Sequence, residues 1–359
     1  MPRMRSQVAQ VDYRVILDEA WQQHLEPRAS DAPTVISLFA GCGGSSLGYS
    51  MAGFRELLAV EWNDNAVATF KLNFPGVPVY HGDIAKLSVE ECLSLAGIEP
   101  GELDILDGSP PCQGFSTAGK RQLDDPRNQL AMEFVRLLRG LQPKVFVMEN
   151  VSGLVKGKMK LVFAEIMREL KASGYKVKCR LMNAMYFQVP QSRQRLIWLG
   201  ARNGLEIEPE HPRPRNEPVI VSDALSGLQD SLAGRVIPKR DSLTLQQMTE
   251  VGPGQRCAIH HSHHRLSGRR PSPTVDRGGG AGEWHIWHPS ENRPITVDEV
   301  KRIGSFPDNF QFMGISNAFE RVGNSVPPLF MRAIAQHIRR TILDERLTGM
   351  GLEARVAES

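Results

Sequence analysis

The chain has 359 residues, of which 41% are hydrophobic and 23% charged, a composition typical of a folded protein with a substantial core. Its net charge of +3 permits a nucleic-acid partner, while five scattered cysteines without a C-x-x-C pair argue against disulfides and structural zinc and favour reduced thiols. No apolar stretch reaches the roughly 20 residues that span a bilayer and no signal-peptide core is present, so we expect neither a membrane span nor secretion.

The predicted elements begin with an amphipathic helix from Tyr13 to Leu25, which we assign to an N-terminal appendage over 1–32. Strands and helices then alternate over 33–202, and apolar residues recur at helical spacing between the strands. Strands are predicted at 35–39, 57–61, 77–80, 103–107, 144–149, 176–183 and 195–201. This alternation indicates an α/β fold, with a mainly parallel sheet covered by helices on both faces.

The alternation stops after residue 202, where the chain becomes rich in Pro, Gly, Arg and His. Short strand-like pieces such as Val219–Val221 and one helix, Val297 to Ile303, are predicted there. We therefore expect a smaller, loop-rich domain and hinge over 203–316. The predicted organisation ends with a return to the first domain over 317–345, which includes a helix from Leu329 to Ile342, and a mobile tail over 346–359.

A thiol stands directly after two prolines, in the order Pro110, Pro111, Cys112. The prolines fix two φ angles and remove two backbone donors, so this segment is stiff and not helical. Because the strand predicted at 103–107 ends just before it, Cys112 lies in the loop where open α/β sheets hold their ligands. A presented thiol that is converted to its thiolate is a nucleophile.

Polar and aromatic residues at three successive strand ends outline an adenosine pocket. The turn at 39–44 is glycine-rich and opens a helix, which suits a close approach to a negatively charged ligand group. Glu61, about 20 residues later, is placed to hold a ribose diol, Trp62 to stack on a base, and Asp83 to accept from an amino group. Taken singly, these residues would also fit a helix cap, a core aromatic residue and a turn.

Two further motifs are expected at the same edge of the sheet. Glu149 ends a buried strand and is a candidate acid, although a strand-end carboxylate often has only a structural partner. Arg193 and Arg195 lie on one face of another strand, where their guanidinium groups suit a carbonyl or a phosphate. Two such arginines are also typical of a solvated strand face.

Read together, these motifs resemble those of the C5-cytosine DNA methyltransferases of bacteria and phages, which use S-adenosylmethionine. FAGCGG, PPCQGFS, ENV, QSRQR and GNSVPP occur in the order usual for that family, at 39–44, 110–116, 149–151, 191–195 and 323–328. The resemblance covers about 34–340. It implies a Rossmann-like class I methyltransferase sheet and a smaller target-recognition domain. Ser109 stands where the family often has glycine.

The resemblance implies methyl transfer to C5 of a cytosine flipped out of a specific duplex DNA sequence. Cys112 would attack C6, Glu149 would bind N3 and the exocyclic amine, and Arg195 would hold O2, with Arg193 near Cys112 and a phosphate. The residues implied for the cofactor site are Phe39, Gly41, Gly43, Glu61, Trp62, Asp83, Ile84, Leu130, Asn324 and Ser325.

Contacts with duplex DNA are expected from two regions. Ser116 to Asp125 resembles the family's mobile loop and carries Lys120 and Arg121. In the smaller domain, Gly254 and Gln255 stand where some members of that family place a residue that fills the gap left by the flipped base, so the resemblance implies this role for Gln255. The basic residues expected to contact phosphates there are Arg265, Arg269, Arg270 and Arg277.

We expect no metal, and we interpret the His260–His264 cluster as a polar, DNA-facing loop. The expected protein is a monomer in the cytoplasm of a bacterial or phage-infected cell, associated with the nucleoid, of the kind found in restriction–modification. One alternative is a tRNA cytosine-5 methyltransferase, although the Cys-Phe-Thr signature of that branch is absent. The other is a DNA-binding regulator that has kept the fold without the chemistry.

Overall fold

The computed structural model describes residues 12–111, 126–214, 217–228, 242–259, 263–276 and 285–344. Its main sheet consists of β1 (Thr34–Leu38), β2 (Arg55–Glu61), β3 (Val79–His81), β4 (Ile105–Gly108), β5 (Val145–Val151), β6 (Tyr175–Asn183) and β7 (Gln194–Arg202). The helices are α1 (Tyr13–Leu25), α2 (Gly44–Met51), α3 (Asp64–Asn73), α4 (Val89–Ala96), α5 (Pro126–Leu141), α6 (Met159–Ala172), α7 (Val221–Leu225), α8 (Ser242–Thr249), α9 (Val297–Ile303), α10 (Ile315–Asn324) and α11 (Pro328–Ile338).

The strands lie in the order β3-β2-β1-β4-β5-β7-β6. The pairs from β3 to β5 are all parallel, whereas β7 is antiparallel to both β5 and β6. Each predicted strand overlaps one of these seven, so the prediction of a mainly parallel α/β sheet is confirmed. Because β7 runs in reverse, its first residues lie at the edge where β5 ends, and Arg195 pairs with Val151 in the register.

Both faces of the central strands are buried, and successive residues of these strands alternate between two apolar clusters. Val35 and Val145 enter one cluster, together with side chains of α1, α2, α3 and α11. Ile36 and Phe146 enter the other, together with side chains of α4, α5 and α6. A strand buried on both faces reads as a nearly continuous apolar run, which is the pattern in the sequence of β1, β4 and β5.

Helix α1, which lies within the predicted N-terminal appendage, packs into the first of these clusters. Tyr13, Leu17 and Ala20 are 2%, 1% and 0% exposed, and the Tyr13 hydroxyl donates to the carbonyl oxygen of Arg302 at 3.4 Å. Four-residue spacing from Tyr13 to Leu17 places both side chains on one face of the helix. The helix therefore contributes directly to the main core.

The region after β7 contains a short parallel pair, β8 (His264–Arg265) and β9 (Ile286–Trp287). Helix α9 has the predicted bounds, Val297–Ile303. The strand predicted at Val219–Val221 is wrong, because α7 begins at Val221 and buries Val221 and Ala224 one helical turn apart. The last predicted helix is divided into α11 and a π-helical turn, Arg339–Leu343.

Candidate active site

The glycine turn after β1 lies so close to neighbouring residues that larger side chains would collide with them. Phe39, Gly41 and Gly43 all have positive φ angles, of 56°, 58° and 95°. A Cβ atom on Gly43 would lie 2.4 Å from Cε2 of Phe74, and one on Gly44 would lie 2.5 Å from the carbonyl oxygen of Val326. The turn is therefore pressed between α3 and the segment that joins α10 to α11, and only glycine fits at these two positions.

Glu61 ends β2 directly beside this turn, and its carboxylate is held by backbone donors. The N–H of Gly41 donates to Oε2 at 2.8 Å, and those of Trp62 and Asn63 donate to Oε1 at 2.9 Å each. The residue is 8% exposed. Hydrogen bonds to the charged form compensate the carboxylate for its lost hydration, so Glu61 is fixed as an acceptor at the strand end.

The other residues predicted for the base of the nucleoside lie at the next strand ends. Trp62 is 75% exposed, so the core position considered from the sequence is excluded and its ring is open to a stacking partner. Asp83 caps a short 3-10 helix by accepting from the N–H of Ala85 at 3.0 Å. Ile84 is buried, and Leu130 on α5 is half-buried in the same apolar cluster.

A pocket of about 410 Å³, which includes space open to solvent, lies over the turn. Four predicted residues, Phe39, Gly41, Asn324 and Ser325, are among those that line it. Asn324 ends α10, and the Ser325 hydroxyl donates to the carbonyl oxygen of Arg321 at 2.6 Å. The chain thus returns from its far end to close the pocket over the glycine turn.

Asp107, Arg321 and Cys42 also line this pocket, and sequence reasoning did not select them. Burial raises the pKa of the Cys42 thiol to about 11, and its Sγ lies 3.2 Å from the Ser325 hydroxyl. Asp107 is 2% exposed and lies inside a strand segment that reads as buried core. Its charge, in an otherwise apolar run, was the available signal in the sequence.

On the other side of the same edge, Glu149 and Arg195 form a close ion pair. Arg195 Nε lies 2.7 Å from Glu149 Oε1, and the two side chains are 12% and 10% exposed. Arg195 Nη1 also donates to the carbonyl oxygen of Gln194 at 2.8 Å. The antiparallel pairing of β5 and β7 produces this contact by bringing the start of one strand to the end of the other.

The two prolines before the thiol are tied to this ion pair through Asn150. Its Nδ2 donates to the carbonyl oxygen of Pro110 at 3.1 Å, and its Oδ1 accepts from the N–H of Val151 at 2.8 Å. Pro110 is buried and Pro111 is exposed. Cys112 itself lies outside the described residues.

Arg193 is turned into the protein. It is 3% exposed, and it donates to the carbonyl oxygens of Val275 at 3.1 Å and Gly323 at 2.8 Å. Burial, and then the nearby charge of Arg195, lower the pKa of Arg193 to about 9. Its guanidinium group thereby joins the start of β7 to the smaller region and to the end of α10.

The predicted DNA contacts fall into three groups. Arg269, Arg270 and Gln255 are exposed. Arg265 is only 6% exposed, and its guanidinium group donates to four carbonyl oxygens and to Asn292 Oδ1, so its phosphate role is wrong: the group stabilises the fold around β8. The remaining candidates, Lys120, Arg121 and Arg277, lie outside the described residues.

Neither a metal-binding cluster nor a membrane-spanning helix occurs in the described part of the chain. No group of three or more potential ligands among the described residues is arranged to hold a metal ion. Of the histidine cluster at 260–264, the first three residues lie outside that part. Within the same ranges, no helix has the length and apolar character needed to cross a membrane.

The family model for the C-5 cytosine-specific DNA methylases matches residues 33–340. The type II methyltransferase M1.HphI of Haemophilus parahaemolyticus is 38% identical over 335 residues, which are 87% of this chain and 88% of that protein. The type II methyltransferase M.NgoPII of Neisseria gonorrhoeae is 32% identical over 346 residues, which are 89% of this chain and 99% of that protein.

Solved structures show the same fold. A DNA modification methyltransferase encoded within a prophage of E. coli has a TM-score of 0.75 and 27% identity, with 87% of this chain and 100% of that chain covered. The Dnmt2 methyltransferase of S. pombe has a TM-score of 0.63 and 19% identity, with 86% and 98% covered, a likeness in fold alone.

Proposed function

The chain belongs to the family of C-5 cytosine-specific DNA methylases, and we propose that it performs their reaction at the sheet edge through Cys112, Glu149 and Arg195. It is a DNA cytosine-5 methyltransferase of the kind related to type II modification enzymes, and its methyl donor is S-adenosylmethionine. What is proposed is the assignment of individual residues to steps of that reaction, together with the base flipping that the reaction requires.

One observation carries this assignment: Glu149 is ion-paired with Arg195, and the next residue, Asn150, donates to the carbonyl oxygen of Pro110, two residues before the thiol. Cytosine presents an acceptor at N3, a donor at its exocyclic amine and an acceptor at O2. A protonated carboxyl group can donate to N3 and accept from the exocyclic amine, and a neighbouring guanidinium group can donate to O2. The pair therefore supports a role in gripping the edge of the ring while the thiol reaches its face.

The chemistry needs both functions. C5 of cytosine is a poor nucleophile, and addition of the Cys112 thiolate to C6, with a proton delivered to N3 from Glu149, turns it into an enamine carbon. When bound, S-adenosylmethionine offers an electrophilic methyl group on a sulfonium sulfur, which keeps the electron pair of the broken bond. Loss of the C5 proton to a base, return of the N3 proton to Glu149 and departure of the Cys112 thiolate then leave 5-methylcytosine and the regenerated thiolate.

The cofactor is assigned to the pocket at the glycine turn and to the adjoining strand ends. We assign the ribose hydroxyls to Glu61, the adenine ring to Trp62, and the adenine edge to Asp83 and Ile84. The exposed face of Trp62 and the fixed carboxylate of Glu61 support these roles. The remaining contacts are assigned to Phe39, Gly41, Gly43, Leu130, Asn324 and Ser325.

DNA contacts are proposed for Arg269, Arg270 and Gln255, which are exposed, and for Lys120 and Arg121. The first two would contact phosphates, while Gln255 would occupy the gap left by the flipped base. Arg193 would act as a positioning residue, since its guanidinium group is bound to backbone oxygens. We further propose that the protein acts as a monomer at the nucleoid of a bacterial cell, as the modification partner of a restriction enzyme.

Genome-wide mapping of 5-methylcytosine after expression in a methylation-free host tests this proposal. We expect a defined sequence to become methylated, and the mark to vanish with Cys112→Ala. Cys179→Ala is the matched control, because that thiol lies in the middle of β6, away from the strand ends that carry the proposed site, and should leave methylation intact.

Purified protein with labelled S-adenosylmethionine should transfer the methyl group to duplex DNA and not to tRNA. Persistent methylation by Cys112→Ala would refute the covalent assignment. Labelling of tRNA in preference to DNA would refute the proposed action on a duplex sequence.

A further inference from the structure

Two buried ionisable residues line the pocket at the glycine turn, and the proposed chemistry uses neither of them. Asp107 lies near the end of β4 and is 2% exposed, and Arg321 lies in α10 and is 7% exposed. Both line the same pocket as Gly41 and Ser325. A carboxyl group and a guanidinium group therefore border one small space from two different elements.

The Asp107 carboxyl is enclosed by polar groups of three neighbouring elements. The Tyr49 hydroxyl of α2 donates to Oδ1 at 3.1 Å, and Ser45 of the same helix also hydrogen-bonds to the carboxyl. The charged groups that face it are Glu56 of β2 and Glu149 of β5, both acidic. Burial, reinforced by these two carboxylates, raises the pKa of Asp107 to about 8, so the group is mostly protonated at neutral pH.

Arg321 is bound on two of its three nitrogens. Nη2 donates to Glu320 Oε1 at 2.6 Å and Nη1 donates to Asn63 Oδ1 at 3.2 Å. Its Nε is buried and has no hydrogen-bond partner among the described residues. A buried donor of a cation without an acceptor is costly, and such a group in a pocket wall points to an anionic ligand.

We propose that Asp107 and Arg321 bind the amino-acid end of S-adenosylmethionine, with the Asp107 carboxylate on the α-ammonium group and Arg321 on the α-carboxylate. The inference rests on the proposed assignment of this pocket to the cofactor. A zwitterionic α-amino acid carries both charges on one carbon, and a pocket bordered by a carboxyl group and a guanidinium group complements it once the carboxyl group is ionised. The arriving ammonium group stabilises the charged form of Asp107, which releases its proton to the solvent.

Proton release makes the binding of the cofactor depend on pH. Below the pKa of Asp107 in the free protein, each bound cofactor displaces close to one proton, so affinity rises as the pH increases towards 8. An α-amino group has an ordinary pKa of about 7.7–8.0, so the ammonium group of the ligand begins to lose its own proton there. The range from pH 6.5 to 7.5 therefore isolates the contribution of Asp107.

Isothermal titration calorimetry at pH 7.0, in two buffers with different ionisation enthalpies, measures this release directly. S-adenosylmethionine and S-adenosylhomocysteine, which both carry the amino-acid end, should each displace close to one proton from the unmodified protein. 5′-Methylthioadenosine, which lacks that end, should displace none. This measurement needs no variant and therefore does not depend on how well a substituted protein folds.

Three variants complete the test. Asp107→Asn should bind S-adenosylmethionine without proton release, and Arg321→Gln should weaken its binding about tenfold, which is about 1.4 kcal/mol. Neither should change the affinity for 5′-methylthioadenosine. Glu56→Gln is the matched control, because this second carboxyl of the same cluster hydrogen-bonds to Ser46 and does not line the pocket. The Glu56→Gln variant should still release a proton when it binds S-adenosylmethionine.

Binding of S-adenosylmethionine to the unmodified protein without proton release would overturn the role of Asp107. Unchanged affinity in Arg321→Gln would overturn the role of Arg321. If the unmodified protein bound no adenosyl compound at all, the assignment of the pocket to the cofactor would fall with them. If it bound 5′-methylthioadenosine as tightly as S-adenosylhomocysteine, only the contact with the amino-acid end would be refuted.

Discussion

Two glutamates at the same edge of the sheet are equally buried and are held in opposite ways. On the side proposed to bind the cofactor, which comprises 39–44 and Glu61, the carboxylate of Glu61 accepts from three backbone N–H groups. On the target side, which comprises 149–150 and Arg195, the carboxylate of Glu149 is paired with a guanidinium group. Both glutamates are 8% exposed.

This difference separates a site fixed by the fold from one fixed by side chains. Backbone donors have no rotamers, so Glu61 is positioned before any ligand arrives. The guanidinium group of Arg195 has several rotatable bonds, and it can share Glu149 with an arriving base without a change in the backbone. We therefore expect the proposed cofactor side to behave as a rigid receptor, and the ion pair of the proposed target side to admit a flipped cytosine.

The largest effect is expected on the target side, from Glu149→Gln. The amide keeps the shape but cannot deliver a proton to N3, and it leaves Arg195 beside a neutral partner. Methyl transfer in a single turnover should fall about 10²- to 10⁴-fold, the range for loss of a general acid. Binding of S-adenosylmethionine should be unchanged.

Glu165→Gln, on the exposed surface of α6, is the control for this change and should retain full activity. If Glu149→Gln lost cofactor affinity as well, the two sides of the edge would not be separate sites. If it kept full activity, Glu149 would not be the acid.

A smaller effect is expected from the same substitution on the cofactor side. In Glu61→Gln, the side-chain NH₂ group faces backbone N–H groups, which then lack a hydrogen-bond acceptor. The ribose hydroxyls lose a charged acceptor as well. Each such loss costs about 1–3 kcal/mol, so the Kd of S-adenosylmethionine should rise about tenfold or more. Calorimetric titration measures this change, and Glu91→Gln, an exposed position in α4, should have no effect. An unchanged Kd would show that the backbone contacts do not prepare Glu61 for the ligand.

The smallest effect is expected from Trp62→Ala. Stacking of a base on an aromatic ring contributes about 1–3 kcal/mol, and a ring that is stacked on one face only should lie near the lower value. The Kd of S-adenosylmethionine should therefore rise roughly fivefold, while Trp62→Phe should retain most of the affinity. The free energy of unfolding should not change, because the side chain is 75% exposed. Leu161→Ala, also exposed, is the control, and equal affinities in all three variants would exclude stacking.

Much of the fold could be predicted because the strands and helices depend on patterns of residues that are close together in the sequence. The seven strands of the main sheet and helix α9 are predicted from apolar runs and helical periodicity, and the family motifs indicate the activity. The strand predicted at Val219–Val221 is wrong because a run of three apolar residues is too short to distinguish the period of a strand from that of a helix. In the structure, a helix beginning at Val221 buries Val221 and Ala224 on one face. The basic composition predicts a DNA contact for Arg265, but composition alone does not show that its guanidinium group is surrounded by carbonyl oxygens.

The sequence by itself determined the strand ends that carry Glu61 and Glu149, since those depend on neighbouring residues. Only the tertiary structure decided which side chains meet there. The reversed direction of β7 pairs Arg195 with Glu149, and the return of α10 over the glycine turn places Arg321 in the same pocket as Asp107. These contacts join residues far apart in the chain, and strand direction and helix docking are set by packing of the whole core, which no local pattern encodes.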